Sequence, residues 1–162
     1  MSKPTLSHID EKGQVRMVDI SAKDTTSRIA IASACVRMRP ETLAAILTGD
    51  APKGDVLAAA RIAGIMAAKR THELIPLCHP LAISSVNVEF APDEKNSQIE
   101  IQATVRVMGK TGVEMEALVA ASIAALTIYD MCKAIDREMM ITEVGLTEKT
   151  GGKSGPFRRE RS

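Results

Sequence analysis

An α+β fold, with a four-stranded antiparallel sheet and two long helices on one of its faces, is predicted for this 162-residue chain by three features. Ile99, Ile101, Ala103, Val105 and Val107 alternate strictly with polar residues, the pattern of a strand with one wet face. Two Ala-rich stretches, residues 55–70 and 113–135, carry apolar residues over helical lengths. These segments succeed one another as strand, helix, strand, strand, helix, strand.

Taken in order, residues 1–12 are polar and without periodicity, so a mobile arm is expected before order begins near Gly13. QVRMVDI (14–20) is a short candidate strand. SRIAIASACVRM (27–38) is a longer one, apolar or small on both faces, as in a buried strand. Pro40 introduces a short helix, ETLAAILTG, stopped by Gly49, and Asp55 is placed to cap the helix of residues 55–70. SSVNVEFA and QIEIQATVRVM flank the turn PDEKNS and form an antiparallel hairpin. GKTG leads into the long helix, and REMMITEVGL (137–146) reads as the last strand. This is the βαββαβ order of the ferredoxin-like fold. A single catalytic domain is expected over 13–150, followed by a flexible, Gly- and Lys-rich tail over 151–162.

Composition restricts the function classes. A net charge of +1 provides no general field for nucleic acid or a membrane, so any anionic partner needs a local site. Three widely spaced cysteines and an N-terminus without a signal-peptide core point to a cytoplasmic protein with reduced thiols. Uninterrupted apolar runs stay below the roughly 18 residues of a membrane span. With two Phe, one Tyr and no Trp, the core is thin, and burial is expected to be completed in an oligomer.

Four motifs bear chemistry. HELIPLCHPL (72–81) lacks the second histidine of H-E-x-x-H, and a metal at Cys78 and His79 would need a third ligand from elsewhere. A helix end fixed by Pro76 and Pro80 and a rigid site loop presenting Cys78 and His79 account for it equally well. In YDMCKAID, Asp130 and Lys133 share a helix face, either as a surface ion pair or as an acid/base centre. Glu114 and Glu116 flank Met115, pointing the same way if the chain is extended and diverging if it is helical. GGKSG departs from the phosphate-loop pattern, which leaves flexible glycines between Lys149 and Lys153 that either close over an anion or stay solvated.

The combination of MVDIS, PKGD (52–55), HELIPLCHPL, KTGVEMEAL, YDMCKAID and KTGGKSG, in that order, closely resembles the MoaC family, the cyclic pyranopterin monophosphate synthases of molybdenum-cofactor biosynthesis. The resemblance runs from about residue 7 to residue 155. It implies a lyase that rearranges 3′,8-cyclo-7,8-dihydroguanosine 5′-triphosphate into cyclic pyranopterin monophosphate with loss of pyrophosphate. It implies Asp130 and Lys133 as the acid/base centre, and Arg28, Lys53, His79 and Lys149 as ligands of the triphosphate and ring. Leu77, Cys78, Glu114, Met115 and Glu116 would line the pocket. It further implies a homohexamer built as a trimer of dimers, with no resident metal or cofactor, although magnesium could accompany the triphosphate.

Overall fold

In a computed structural model describing residues 8–160, the chain forms a five-stranded antiparallel sheet with its helices on one face. The elements are β1 (Thr26–Arg37), α1 (Pro40–Thr48), α2 (Val56–Ala68), the single turn α3 (Thr71–Leu74), β2 (Ile83–Asp93), β3 (Gln98–Gly109), α4 (Glu114–Cys132), β4 (Met140–Thr150) and β5 (Phe157–Arg158). The sheet order is β2-β3-β1-β4-β5.

The four-stranded expectation is therefore corrected to five. The additional strand is the two-residue β5, in which Phe157 pairs with Lys149 and Arg158 with Glu148 at the sheet edge. Two residues leave no periodicity to read. The short strand expected over 14–20 is also absent; only Val15 bridges, to Ile9. Beyond it no ladder forms: His79 donates to the Val18 carbonyl, the Lys23 N–H to that of Ile20 and, just past the segment, Lys110 to that of Ser21. Of the arm expected over 1–12, residues 1–7 lie outside the described residues.

The small-residue composition finds its use between α4 and the sheet. Ala117, Ala120, Ala121, Ala124 and Ala125 are fully buried, as are Ala30 and Ala32 of β1 and Ile99, Ile101, Ala103 and Val105 of β3. On α2, Gly64 lies so close to α4 that an added Cβ would stand 2.9 Å from the Ala120 carbonyl. By length and hydropathy α4 would suit a membrane, but here it is a core helix, clasped between the sheet and α2.

The helix ends matter most for the site. Asp55 accepts a hydrogen bond from the Ala58 N–H at the start of α2. Arg39 gives α1 no side-chain cap; Asp136, just beyond α4, takes that place across 97 residues of sequence. Its carboxylate accepts from the Arg39 N–H at 2.9 Å, the Thr42 hydroxyl at 3.0 Å and the Glu138 N–H at 3.0 Å. Burial alone would raise the Asp136 pKa, but these donors outweigh it and lower it. The chain leaving α4 is thus fixed to the start of α1 three residues after Lys133.

Candidate active site

Side chains singled out in the sequence gather at the two ends of α4. At its C-terminal end, Asp130 accepts from Lys133 at 2.7 Å through Oδ1 and from Lys53 at 2.8 Å through Oδ2. Lys53 arrives in the turn before α2; with Lys53 at Asp130 and Gly64 at Ala120, α2 runs antiparallel to α4. All three side chains are about half exposed. The two ammonium groups, Lys133 foremost and then Lys53, hold the Asp130 pKa down at about 2. Asp130 is a carboxylate at neutral pH, and it holds two cations together at one surface.

The N-terminal end of α4 opens on a cleft of about 470 Å³ lined by Arg28, Glu114 and Lys149, among others. Lys149 Nζ lies 3.2 Å from Glu114 Oε1 and 2.8 Å from Ser154 Oγ. Arg28 is held by donating Nε to the Gly109 carbonyl at 2.9 Å and Nη2 to that of Lys110 at 3.2 Å. Glu114 and Glu116 both lie in the first turn of the helix, and they diverge: Glu114 lines the cleft, whereas Glu116 is only 3% exposed.

Burial, assisted by the charge of Glu114, pushes the Glu116 pKa up to about 7. The sequence offered no signal for this, since spacing alone could not say which glutamate would be covered. Glu116 in turn lies near enough to Cys78 to raise the thiol, although burial is the larger cause. Cys78 and Leu77 therefore belong to this end of the molecule, on the loop that follows α3. His79 donates Nε2–H to the Val18 carbonyl at 2.8 Å, because a carbonyl only accepts, and this fixes the proton on Nε2. Met115 follows Glu114 in the same turn. Among the described residues, no three His, Cys, Asp or Glu side chains converge on a point that could hold a metal.

A raised carboxyl pKa carries a stability signature. Glu116 supports the folded state when protonated, and that support is lost as pH rises through about 7. Glu116→Gln, neutral at every pH, is expected to gain stability relative to the parent between about pH 5 and pH 8, reaching about 3 kcal/mol. Urea unfolding at the two pH values checks this; a difference independent of pH would contradict the buried-carboxyl assignment.

The two ends are far apart. Asp130 follows Glu114 by 16 helical positions, and at 1.5 Å per residue this separates them by about 24 Å. Within one chain, the Lys53–Asp130–Lys133 centre does not meet the cleft of Arg28, Glu114 and Lys149.

A sequence model described as the MoaC family matches residues 17–152. A protein named cyclic pyranopterin monophosphate synthase from Roseiflexus sp. (strain RS-1) is 64% identical over 152 residues, covering 94% of this chain and 96% of the relative. One of the same name from Pelotomaculum thermopropionicum is 59% identical over 155 residues, covering 96% and 91%. Another from Chloroflexus aurantiacus is 60% identical over 156 residues, covering 96% of both.

Proposed function

The chain belongs to the MoaC family, and from that premise we infer that it is a cyclic pyranopterin monophosphate synthase, a lyase of molybdenum-cofactor biosynthesis. Its substrate is the 3′,8-cyclised dihydro-GTP and its products are cyclic pyranopterin monophosphate and pyrophosphate. Rebuilding the ring moves protons on and off nitrogen and oxygen. Closing the cyclic diester joins a substrate oxygen to the α-phosphorus as the bond to the departing pyrophosphate breaks.

The residue types fit both demands. Lys133, beside Asp130 and Lys53, offers an ammonium held in place by a permanently ionised carboxylate. Glu116, with its pKa near 7, exchanges a proton at neutral pH and is a second acid/base candidate. Arg28 and Lys149 offer donors to phosphate and ring oxygens; His79, whose Nε2–H is taken by the Val18 carbonyl, has Nδ1 left, an acceptor in the neutral ring and a donor when the ring is protonated; and Leu77, Cys78, Glu114 and Met115 form the walls around the ring. No resident cofactor enters this scheme, and magnesium, if used, would travel with the triphosphate.

The observation that carries the assembly is the 24 Å between the two groups, longer than one substrate can bridge. A two-fold dimer resolves it by bringing the Lys53–Asp130–Lys133 end of one chain to the cleft of the other, making two equivalent sites. A trimer of such dimers needs two kinds of interface, and two separate apolar surfaces are available. One is the helix-free face of the sheet, with Met108 and Met140 exposed; the other is the outer side of the helices, with Ile62, Met66 and Leu126 exposed. Such a hexamer would work in the cytoplasm.

Incubating the purified chain with the cyclised GTP substrate and following pterin fluorescence tests the activity. Pterin and pyrophosphate should appear in equal amounts. Binding without turnover would instead make this a non-catalytic module of the same fold.

A further inference from the structure

Lys133 closes the last turn of α4, three residues before the buried carboxylate of Asp136. We propose that Asp136 is the positioning residue of Lys133: its carboxylate fixes the chain where it leaves α4 and so keeps the Lys133 ammonium on Asp130. This rests on the reaction inferred above, in which that ammonium acts.

The first support is that the centre does not hold itself. Asp130, Lys133 and Lys53 are each about half exposed, and ion pairs so open to water are weak and screened. The geometry of a long lysine side chain then depends on the backbone that carries it. At Lys133 nothing local secures that backbone. Lys133 keeps helical dihedrals, φ −59° and ψ −20°, Ala134 and Ile135 follow it, and neither glycine nor proline ends the helix. The N–H groups of Lys133, Ile135 and Asp136 still turn back, at 2.8 Å to the Tyr129 carbonyl and at 2.9 and 3.0 Å to that of Cys132. The stop has to come from elsewhere in the fold.

Asp136 supplies it, which is the second support. Both oxygens are used: Oδ2 accepts from the Arg39 N–H and the Thr42 hydroxyl, and Oδ1 from the Glu138 N–H. The neighbours of Asp136 are held as well. Arg39 Nη2 donates to the Ile135 carbonyl, and the Tyr129 hydroxyl donates to the Arg137 carbonyl at 3.2 Å. Three consecutive residues, 135–137, are therefore pinned, from the start of α1 on one side and from Tyr129, the neighbour of Asp130, on the other. α1 is itself rooted in the core through Leu43 and Ile46, so the anchor is firm.

The third support is the kind of group used. Holding α1 against the body of the protein does not require an ion, because an apolar contact of the same volume stabilises as well as a buried carboxylate or better. What the carboxylate adds is direction. Three donors on two oxygens fix an angle as well as a distance, and charge-assisted bonds hold it more stiffly than neutral ones. The angle fixed here is that of the chain turning off α4, within one turn of Lys133.

Pterin formation by the full-length protein separates positioning from support of the fold. Asp136→Asn, equal in size but unable to satisfy all three donors, should lower kcat about tenfold. Thr42→Val removes one donor and keeps the shape, and should lower kcat about threefold, whereas Thr42→Ser should keep the parental value. Placed on Lys133→Ala, Asp136→Asn and Thr42→Val should each cost less than about twofold more, because the group they position is already gone. Losses as large in that background as in the parent would make Asp136 merely structural and overturn the proposal, as would parental kcat in both variants. Should Asp136→Asn not fold, Thr42→Val carries the same comparison. A second readout needs no turnover: the rate at which acetic anhydride modifies Lys133 relative to the exposed Lys69, followed by mass spectrometry. Asp136→Asn and Thr42→Val should raise that ratio, by up to about threefold, as the ammonium leaves Asp130. An unchanged ratio would overturn the positioning role, whereas absence of turnover in the parent itself would overturn the inferred reaction instead.

Discussion

Lys133→Ala is expected to lower turnover at least about a hundredfold, the usual scale for losing an acid/base group, while the folded oligomer persists. Lys133 caps the C-terminal end of α4 and is half exposed, so truncating it leaves no cavity, and the Asp136 tether to α1 is untouched. Asp130 loses the larger of its two stabilising partners, and its pKa rises from about 2 toward the ordinary aspartate value. It remains ionised at neutral pH, so the loss of rate reports the missing ammonium rather than a neutralised carboxylate. Lys133→Arg separates two roles for that ammonium. Arginine keeps the positive charge but does not release a proton near neutrality. Rates as low as those of the alanine variant would assign proton transfer to Lys133, and recovery would assign electrostatic support. Near-normal turnover of Lys133→Ala would remove the residue from the chemistry.

Much of this arrangement was legible in the chain itself, for identifiable reasons. β1, the β2–β3 hairpin, α2 and α4 announce themselves through periodicity, and Asp55 and Gly49 act as the cap and stop that their residue types indicate. β5 did not, because two residues at an edge are selected by pairing with β4 alone. The segment around Val18 has the composition of a strand but forms no ladder; the Val18 carbonyl goes to His79 and, just past the segment, that of Ser21 to Lys110, partners too distant in sequence for any local pattern. At the site, the Asp130–Lys133 pair followed from helical spacing. The approach of Lys53 required knowing that α2 runs antiparallel to α4. The burial of Glu116, and the gathering of Lys23 and Thr26 with Lys149 in one cleft, are products of tertiary packing that spacing does not encode.

The second large effect is a recovery of activity from two inactive proteins. Asp130→Ala removes the carboxylate that gathers Lys53 and Lys133, and Lys149→Ala removes a cation of the cleft. Each variant alone should be inactive, because every site in it lacks one part. If the site is completed across a two-fold axis, a mixed dimer has one doubly damaged site and one intact site. Random exchange makes half of the dimers mixed, so about a quarter of all sites become intact. The alternative, in which one chain supplies both parts, has to close the roughly 24 Å between the ends of α4. Mixing Asp130→Ala with Lys149→Ala under conditions of demonstrated subunit exchange, and measuring pterin formation, is therefore the most direct test. About a quarter of parental activity is the expected result. No recovery, with exchange proven and the same outcome when Arg28→Ala replaces Lys149→Ala, would mean that each chain builds its site alone.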